Sequence, residues 1–246
     1  MRLTVIGGCG AYPGGGQPCS GYVVGEDGFS LLIDPGYGVA TALSRPDAPG
    51  FDAVLVSHGH PDHCADLNPL LRARVLAAED PGPLPVHALP GALDAVLALD
   101  RPEWLEGAIS LHEFEARDEL SIGPFRIRTA PLPHPRPNAG FRISSGGASL
   151  VYTGDGGPSD ELVRLARDAD LLLAEATFAE EVPEEIRGNL SSGRDAGRQA
   201  AAAGVRRLIL THLQPGTDAE AARGAAREHF EGPLEVARPG LALEVG

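Results

Sequence analysis

Ser57-His58-Gly59-His60-Pro61-Asp62-His63 puts three imidazoles and a carboxylate within six residues, and the reading of this stretch decides the fold. It directly follows an apolar run, Ala53–Ser57, that reads as a short strand. Pro61 suits the first position of a helix, whose apolar side would continue through Leu67, Leu70 and Leu71. A strand-to-helix turn lets several side chains converge on one point outside a sheet. Imidazole and carboxylate are good ligands for Zn²⁺ and similar divalent ions. Such crowding does not suit a solvated polar loop, because the whole chain holds only 8 His.

On both sides of this turn the chain alternates short strands with helices. Strands are expected at Leu3–Ile6, Gly21–Gly25 and Phe29–Asp34, with a hairpin at Gly25–Gly28. Val86–Ala88 reads as a strand and Ala92–Leu99 as a helix. Further strands are read at Ile109–Phe114, Phe125–Ala130, Gly140–Ser144 and Ser149–Thr153. Beyond them, helices at Asp160–Arg167, Arg194–Ala203 and Asp218–Phe230 alternate with strands at Leu171–Ala174, Arg207–Leu210, Leu234–Val236 and Leu241–Val245. Two strand-rich blocks, each followed by helices, imply two packed sheets with helices outside. No sequence repeat or linker divides the chain, so residues 1–246 are expected to form a single domain.

Downstream, three further residues each stand just past an expected strand: His134 after Phe125–Ala130, Asp155 in Tyr152-Thr153-Gly154-Asp155, and His212 in Leu210-Thr211-His212. Taken with the His-x-His-x-Asp-His spacing, this ordered set resembles the metallo-β-lactamase family over almost the whole chain. The resemblance implies an α/β, four-layer αββα sandwich with the site along one edge. It implies that His58, His60 and His134 bind one metal ion, that Asp62, His63 and His212 bind a second, and that Asp155 bridges the two. Zn²⁺ is the expected ion, with Mn²⁺ or Fe also accommodated. Two such ions can generate a bridging hydroxide at neutral pH and clamp a phosphoryl oxygen.

Asp155 stands where the β-lactamases proper usually carry Cys. Leu173-Ala174-Glu175-Ala176-Thr177-Phe178 and the run Ala203 to His212 are similar to the ribonuclease Z branch. That branch carries a His at the place of Ala174, and another at the place of Asn189, thought to protonate the leaving oxygen. The layout also looks like a group of bacterial metallo-hydrolases, common in actinobacteria, some described as cyclic-nucleotide phosphodiesterases. The opening Gly7-Gly8-Cys9-Gly10-Ala11-Tyr12-Pro13, then Pro18-Cys19-Ser20-Gly21-Tyr22, is similar to theirs. That loop lacks the Gly-Lys-Ser/Thr ending of a phosphate-binding P-loop and reads as a tight turn at the rim of the site.

Asp62 and Glu175 are therefore the candidate catalytic residues, Asp62 for moving a proton and Glu175 for orienting a ligand or proton donor. Arg136 and Arg142 flank His134 and are candidate phosphate contacts. Asp34, in Leu32-Ile33-Asp34-Pro35-Gly36, is expected to anchor a loop or a ligand His. Three readings of the reaction stay open: hydrolysis of a small phosphodiester such as a cyclic nucleotide, hydrolysis of a lactone or thioester, and metal binding with degenerate catalysis.

Composition narrows the partners. The formal charge is −14 and every basic residue is Arg, so polyanions are repelled. The stretch between Asp155 and Glu175 is too short for a tRNA-binding arm, and no tRNA partner is expected. Three Cys make no disulfide framework, and Cys64 reads as a small buried residue rather than a ligand. With neither an apolar leader nor a run of about 20 apolar residues, no membrane association and a cytoplasmic location are expected. A homodimer is implied by the resemblance only.

Overall fold

The computed structural model describes residues 1–77, 82–105 and 107–246. The first sheet is built from β1 (Arg2–Gly7), β2 (Gly21–Glu26), β3 (Phe29–Ile33), β4 (Ala53–Leu55), β5 (Leu84–Ala88) and β6 (Ile109–Glu113). The second comprises β7 (Glu119–Ile122), β8 (Phe125–Pro131), β9 (Ala139–Ser145), β10 (Ala148–Tyr152), β11 (Leu171–Glu175), β12 (Leu208–Thr211) and β13 (Leu234–Val236). The last strand, β14 (Ala242–Glu244), returns to the first sheet and pairs with β1.

The strand orders are β14-β1-β2-β3-β4-β5-β6 and β13-β12-β11-β10-β9-β8-β7. In the first sheet the pairs from β14 to β3 are antiparallel and those from β3 to β6 parallel. In the second, the pairs from β7 to β10 are antiparallel and those from β10 to β13 parallel. The two halves thus repeat one pairing pattern, although the sequence shows no repeat.

Side chains sort the layers. Leu3, Val5, Leu31 and Leu55 of the first sheet meet Ile127, Phe141, Leu150 and Leu173 of the second in one central core. The outer face of the first sheet packs on α1 (Val39–Leu43), α2 (Pro61–Cys64), α3 (Leu67–Val75), α4 (Asp94–Leu97) and α5 (Pro102–Leu105), through residues such as Val39, Leu67, Leu71 and Val96. The outer face of the second packs on α6 (Asp160–Ala166), α7 (Gly193–Ala203) and α8 (Ala219–Arg227). Helices on both outer faces give the expected αββα order. Strands β10, β11 and β12, covered on both sides, are buried along their whole length, which is why they read as unbroken apolar runs. At β8, by contrast, Phe125 and Ile127 point inward while Arg126 and Arg128 point to solvent.

The helix expected to run unbroken from Pro61 past Leu71 is two helices. The Asp66 N–H leaves the helical ladder and donates to Pro35 O at 2.9 Å, while the Asp66 carboxylate accepts from Ala40 N. The chain therefore turns between α2 and α3, and α2 is only four residues long. Among the described residues no helix is long and apolar enough to cross a membrane.

Candidate metal centre

Every residue of the cluster stands at or just beyond the end of a strand. Asp34 follows β3, the run His58–His63 follows β4, His134 follows β8, Asp155 follows β10, Glu175 ends β11 and His212 follows β12. The turns are tight: Asp34 and His212 are non-glycine residues with φ of 50° and 59°. Such strain persists where the surroundings over-determine it, and it gathers at functional sites. Gly59 is required within the motif, since a Cβ there would lie 2.5 Å from Ala92 O.

The seven expected ligands form two groups that share Asp155: His58, His60, His134 and Asp155, and Asp62, His63, Asp155 and His212. In the first, His58 Nε2 and His134 Nε2 each lie 3.0 Å from His60 Nδ1. Asp155 Oδ2 is 3.8 Å from His58 Nε2 and 4.0 Å from His134 Nε2. In the second, Asp155 Oδ1 is 3.1 Å from both His63 Nε2 and His212 Nε2, and Asp62 Oδ2 is 3.1 Å from His212 Nε2.

The outward nitrogens fix which lone pairs face inward. His63 Nδ1 donates to Asp34 Oδ2 (2.8 Å), and His134 Nδ1 donates to Asn189 O (3.1 Å). His212 Nδ1 donates to Thr177 Oγ1 (2.9 Å), which donates on to Glu175 Oε1 (2.6 Å). His58 Nδ1 meets Ser57 Oγ at 3.1 Å, and that hydroxyl is spent on Asp34 Oδ2. Four Nε2 lone pairs and His60 Nδ1 are thereby aimed at the cluster. A single hydrogen on His60 Nδ1 cannot serve both flanking Nε2 lone pairs at 3.0 Å, whereas a cation among the three nitrogens satisfies all of them. A tetrahedral ion with ligands at about 2.0–2.1 Å spaces its nitrogens by roughly 3.3 Å, close to these distances. In the second group His63 Nε2 and Asp155 Oδ1 are buried with no hydrogen-bond partner. The donor set and these orphaned atoms fit divalent metal ions.

Electrostatics separate the two groups. Burial, then the neighbouring imidazoles, hold His58 and His60 below the usual range, while burial lowers His134 against the pull of Asp155. Burial also opposes charge on His63 and His212, but Asp155 with Asp34 or Asp62 outweighs it and raises both. Asp155, despite burial, is held well below the carboxylate range by His212, His63 and His58.

Asp62, a candidate catalytic residue, is a member of the second group and accepts from Ala11 N at 2.8 Å. The glycine-rich loop is therefore the rim that holds this carboxylate. Asp34 anchors both His63 and the loop that follows β4, accepting also from Ser57 N (2.7 Å) and Tyr152 OH (2.7 Å). Glu175 is buried behind the cluster, accepting from Gly156 N, Thr177 Oγ1 and Ser191 N; burial, then Asp155, pushes its pKa up to about 7. It reaches His212 through the Thr177 hydroxyl.

Arg136 is exposed on the cleft beside His134. The structure does not bring Arg142 to the cluster. Its guanidinium donates to Leu165 O (3.0 Å) and Arg167 O (2.7 Å), satisfying carbonyls at the end of α6. Ala174 packs in the layer beneath the helices of the second sheet, so the absent histidine there vacates nothing in the cluster. At Asn189 it is the backbone carbonyl that accepts from His134 Nδ1, a contact that no residue-type signal could have shown.

Comparison with known proteins agrees with this geometry. The model of the beta-lactamase superfamily domain matches residues 30–213. An uncharacterized protein of Mycobacterium leprae is 35% identical, over 100% of this chain and 89% of its own. A Bacillus subtilis protein named as a metallo-hydrolase, YhfI, is 31% identical over 99% of this chain and 100% of its own. Its crystal structure superposes with a TM-score of 0.89 at 30% identity, covering 100% of this chain and 98% of that one. A Mycobacterium bovis protein named ribonuclease Z is 31% identical over 96% of this chain and 95% of its own. The expected exclusion of tRNA finds no support in that relative.

Proposed function

Because the chain belongs to the beta-lactamase superfamily and has the metallo-β-lactamase fold, we propose that residues 1–246 act as one metal-dependent hydrolase domain with a dinuclear site, cleaving a small phosphodiester such as a cyclic nucleotide. The observation that carries this reading is Asp155, whose two oxygens face two different groups of imidazoles. His58, His60 and His134 would hold one ion, Asp62, His63 and His212 the other, and Asp155 both; Zn²⁺ suits this set. Bound there, two divalent ions supply an activated water and charge neutralisation at a phosphoryl group.

The chain's own residues do the rest. Asp34, Asn189 O and the Thr177–Glu175 pair fix the imidazoles so that little reorganisation remains for the reaction. Asp62, steadied by Ala11 N, is the carboxylate placed to take a proton. Arg136 stands where an anionic substrate enters beside His134.

The experiment is to measure metal content, then assay bis-p-nitrophenyl phosphate, cyclic AMP, a lactone and a precursor tRNA. Turnover of the small phosphodiesters at about two ions per chain is the expected result. Turnover of the lactone alone would overturn the phosphodiesterase reading. An intact fold that takes up no transition metal on reconstitution would overturn the site itself.

A further inference from the structure

A cleft of about 550 Å³ opens beside His134, within the roughly 300–1,000 Å³ typical of small-molecule sites. Its wall is largely apolar: Leu89, Pro90, Ala116, Leu132 and Pro133. It is also rigid. Leu89 and Leu132 are packed into the cores, and proline rings have no side-chain freedom to lose on binding. The turn bearing Glu115 is pinned, with Glu115 N donating to Asp118 Oδ2 (2.9 Å) and Thr129 Oγ1 to Glu115 O (3.3 Å).

Three charged side chains line the cleft, and they are not equivalent. Glu161 is committed to Arg117 (2.9 Å) and Arg164 (3.0 Å). Among the described residues, the Glu115 carboxylate and the Arg136 guanidinium have no ion pair. Arg136 lines the same cleft as His134. A rigid apolar slot with one free cation and one free carboxylate suits a ligand with flat apolar faces, an anionic group and N–H donors at its edge.

We propose that this cleft receives the amino-bearing nucleobase of the phosphodiester, with Leu and Pro side chains against its faces, Glu115 accepting from its exocyclic amino group and Arg136 beside its phosphate. The proposal rests on the phosphodiesterase reading and adds what part of the substrate is recognised. Adenine and guanine offer an exocyclic NH₂ to the carboxylate. Uracil has carbonyl oxygens on both sides of its single N–H and repels it. Losing one hydrogen bond to a charged group corresponds to about tenfold or more in affinity.

The test uses the metal-loaded protein with 3′,5′-cyclic AMP, cyclic GMP, cyclic UMP and bis-p-nitrophenyl phosphate. The KM for the two purine nucleotides is expected to lie about tenfold below that for cyclic UMP, with smaller differences in kcat. Glu115→Gln, an exposed and isosteric change, should reduce that preference to about twofold or less. Turnover of bis-p-nitrophenyl phosphate with no base preference, or a preference that survives Glu115→Gln, overturns the cleft assignment alone. No turnover of any phosphodiester overturns the underlying reading and this inference with it.

Discussion

His58, His60 and His134 meet at the outer side of the cluster, where His60 and His134 keep partial exposure, whereas Asp62, His63 and His212 lie buried behind them. The outer three are held neutral by burial and by each other, and Asp155 is their one carboxylate. The inner group sets two imidazoles against Asp62, Asp155 and Asp34, so its charges compensate one another. The inner half is therefore held together by the protein, while the outer half is a set of converging lone pairs that a cation relieves. It is also the half beside the cleft, where substrate would arrive.

Removing the shared group should break the comparison outright. Asp155→Ala is expected to lower kcat/KM for bis-p-nitrophenyl phosphate by about a thousandfold or more and the metal content below two ions. Activity within tenfold of the native protein would mean that the halves do not depend on one carboxylate.

Asp34→Ala should strike the inner half harder than the outer, which it reaches only through Ser57. It leaves His63 Nδ1, Tyr152 OH and the Ser57 N–H without their buried acceptor. The expected cost is about 3 kcal/mol in urea denaturation. Metal affinity should fall about 10–100-fold at one equivalent and less at the other. Equal weakening of both equivalents would erase the distinction.

Tyr152→Phe removes one donor from the same carboxylate and should cost about 1 kcal/mol, with one metal equivalent slightly weakened. No change in the denaturation midpoint would show that the tyrosine is a bystander.

The smallest effect comes from a His pair without carboxylates. His87 and His112 stack with ring centroids 4.8 Å apart, and burial, then His112, lowers His87 to about 4. Above about pH 6.5 folded and unfolded chains both keep it neutral. Between about 6.5 and 4 the unfolded chain takes up a proton that the folded chain refuses, so stability falls as pH falls. His87→Gln should remove about 1 kcal/mol or less of that loss, because the ring is only partly buried. An unchanged pH profile would show that the pair carries no such linkage.

Much of this was legible in the sequence because strand ends and metal ligands are local features. The apolar runs beside His58, Asp155 and His212 marked strands, and the residues just past them marked a shared edge. The second sheet's outer strand, β7, escaped notice because its four residues gain order only by pairing with β8. Helix α1 begins at Val39, with Gly38 before it offering no side-chain cap, and left no signal either. The break between α2 and α3 depends on Pro35 O, some thirty residues away in the chain.

The sequence by itself indicated the layered architecture through its pattern of strands and helices, and its resemblance to a known family picked out the seven side chains that gather at the edge. Tertiary structure alone decided which nitrogen of each imidazole faces inward, that a backbone carbonyl at Asn189 steadies His134, and that Arg142 serves a helix end. These are matters of hydrogen-bond partners brought together across long sequence distances, and a backbone carbonyl is the same group in every residue.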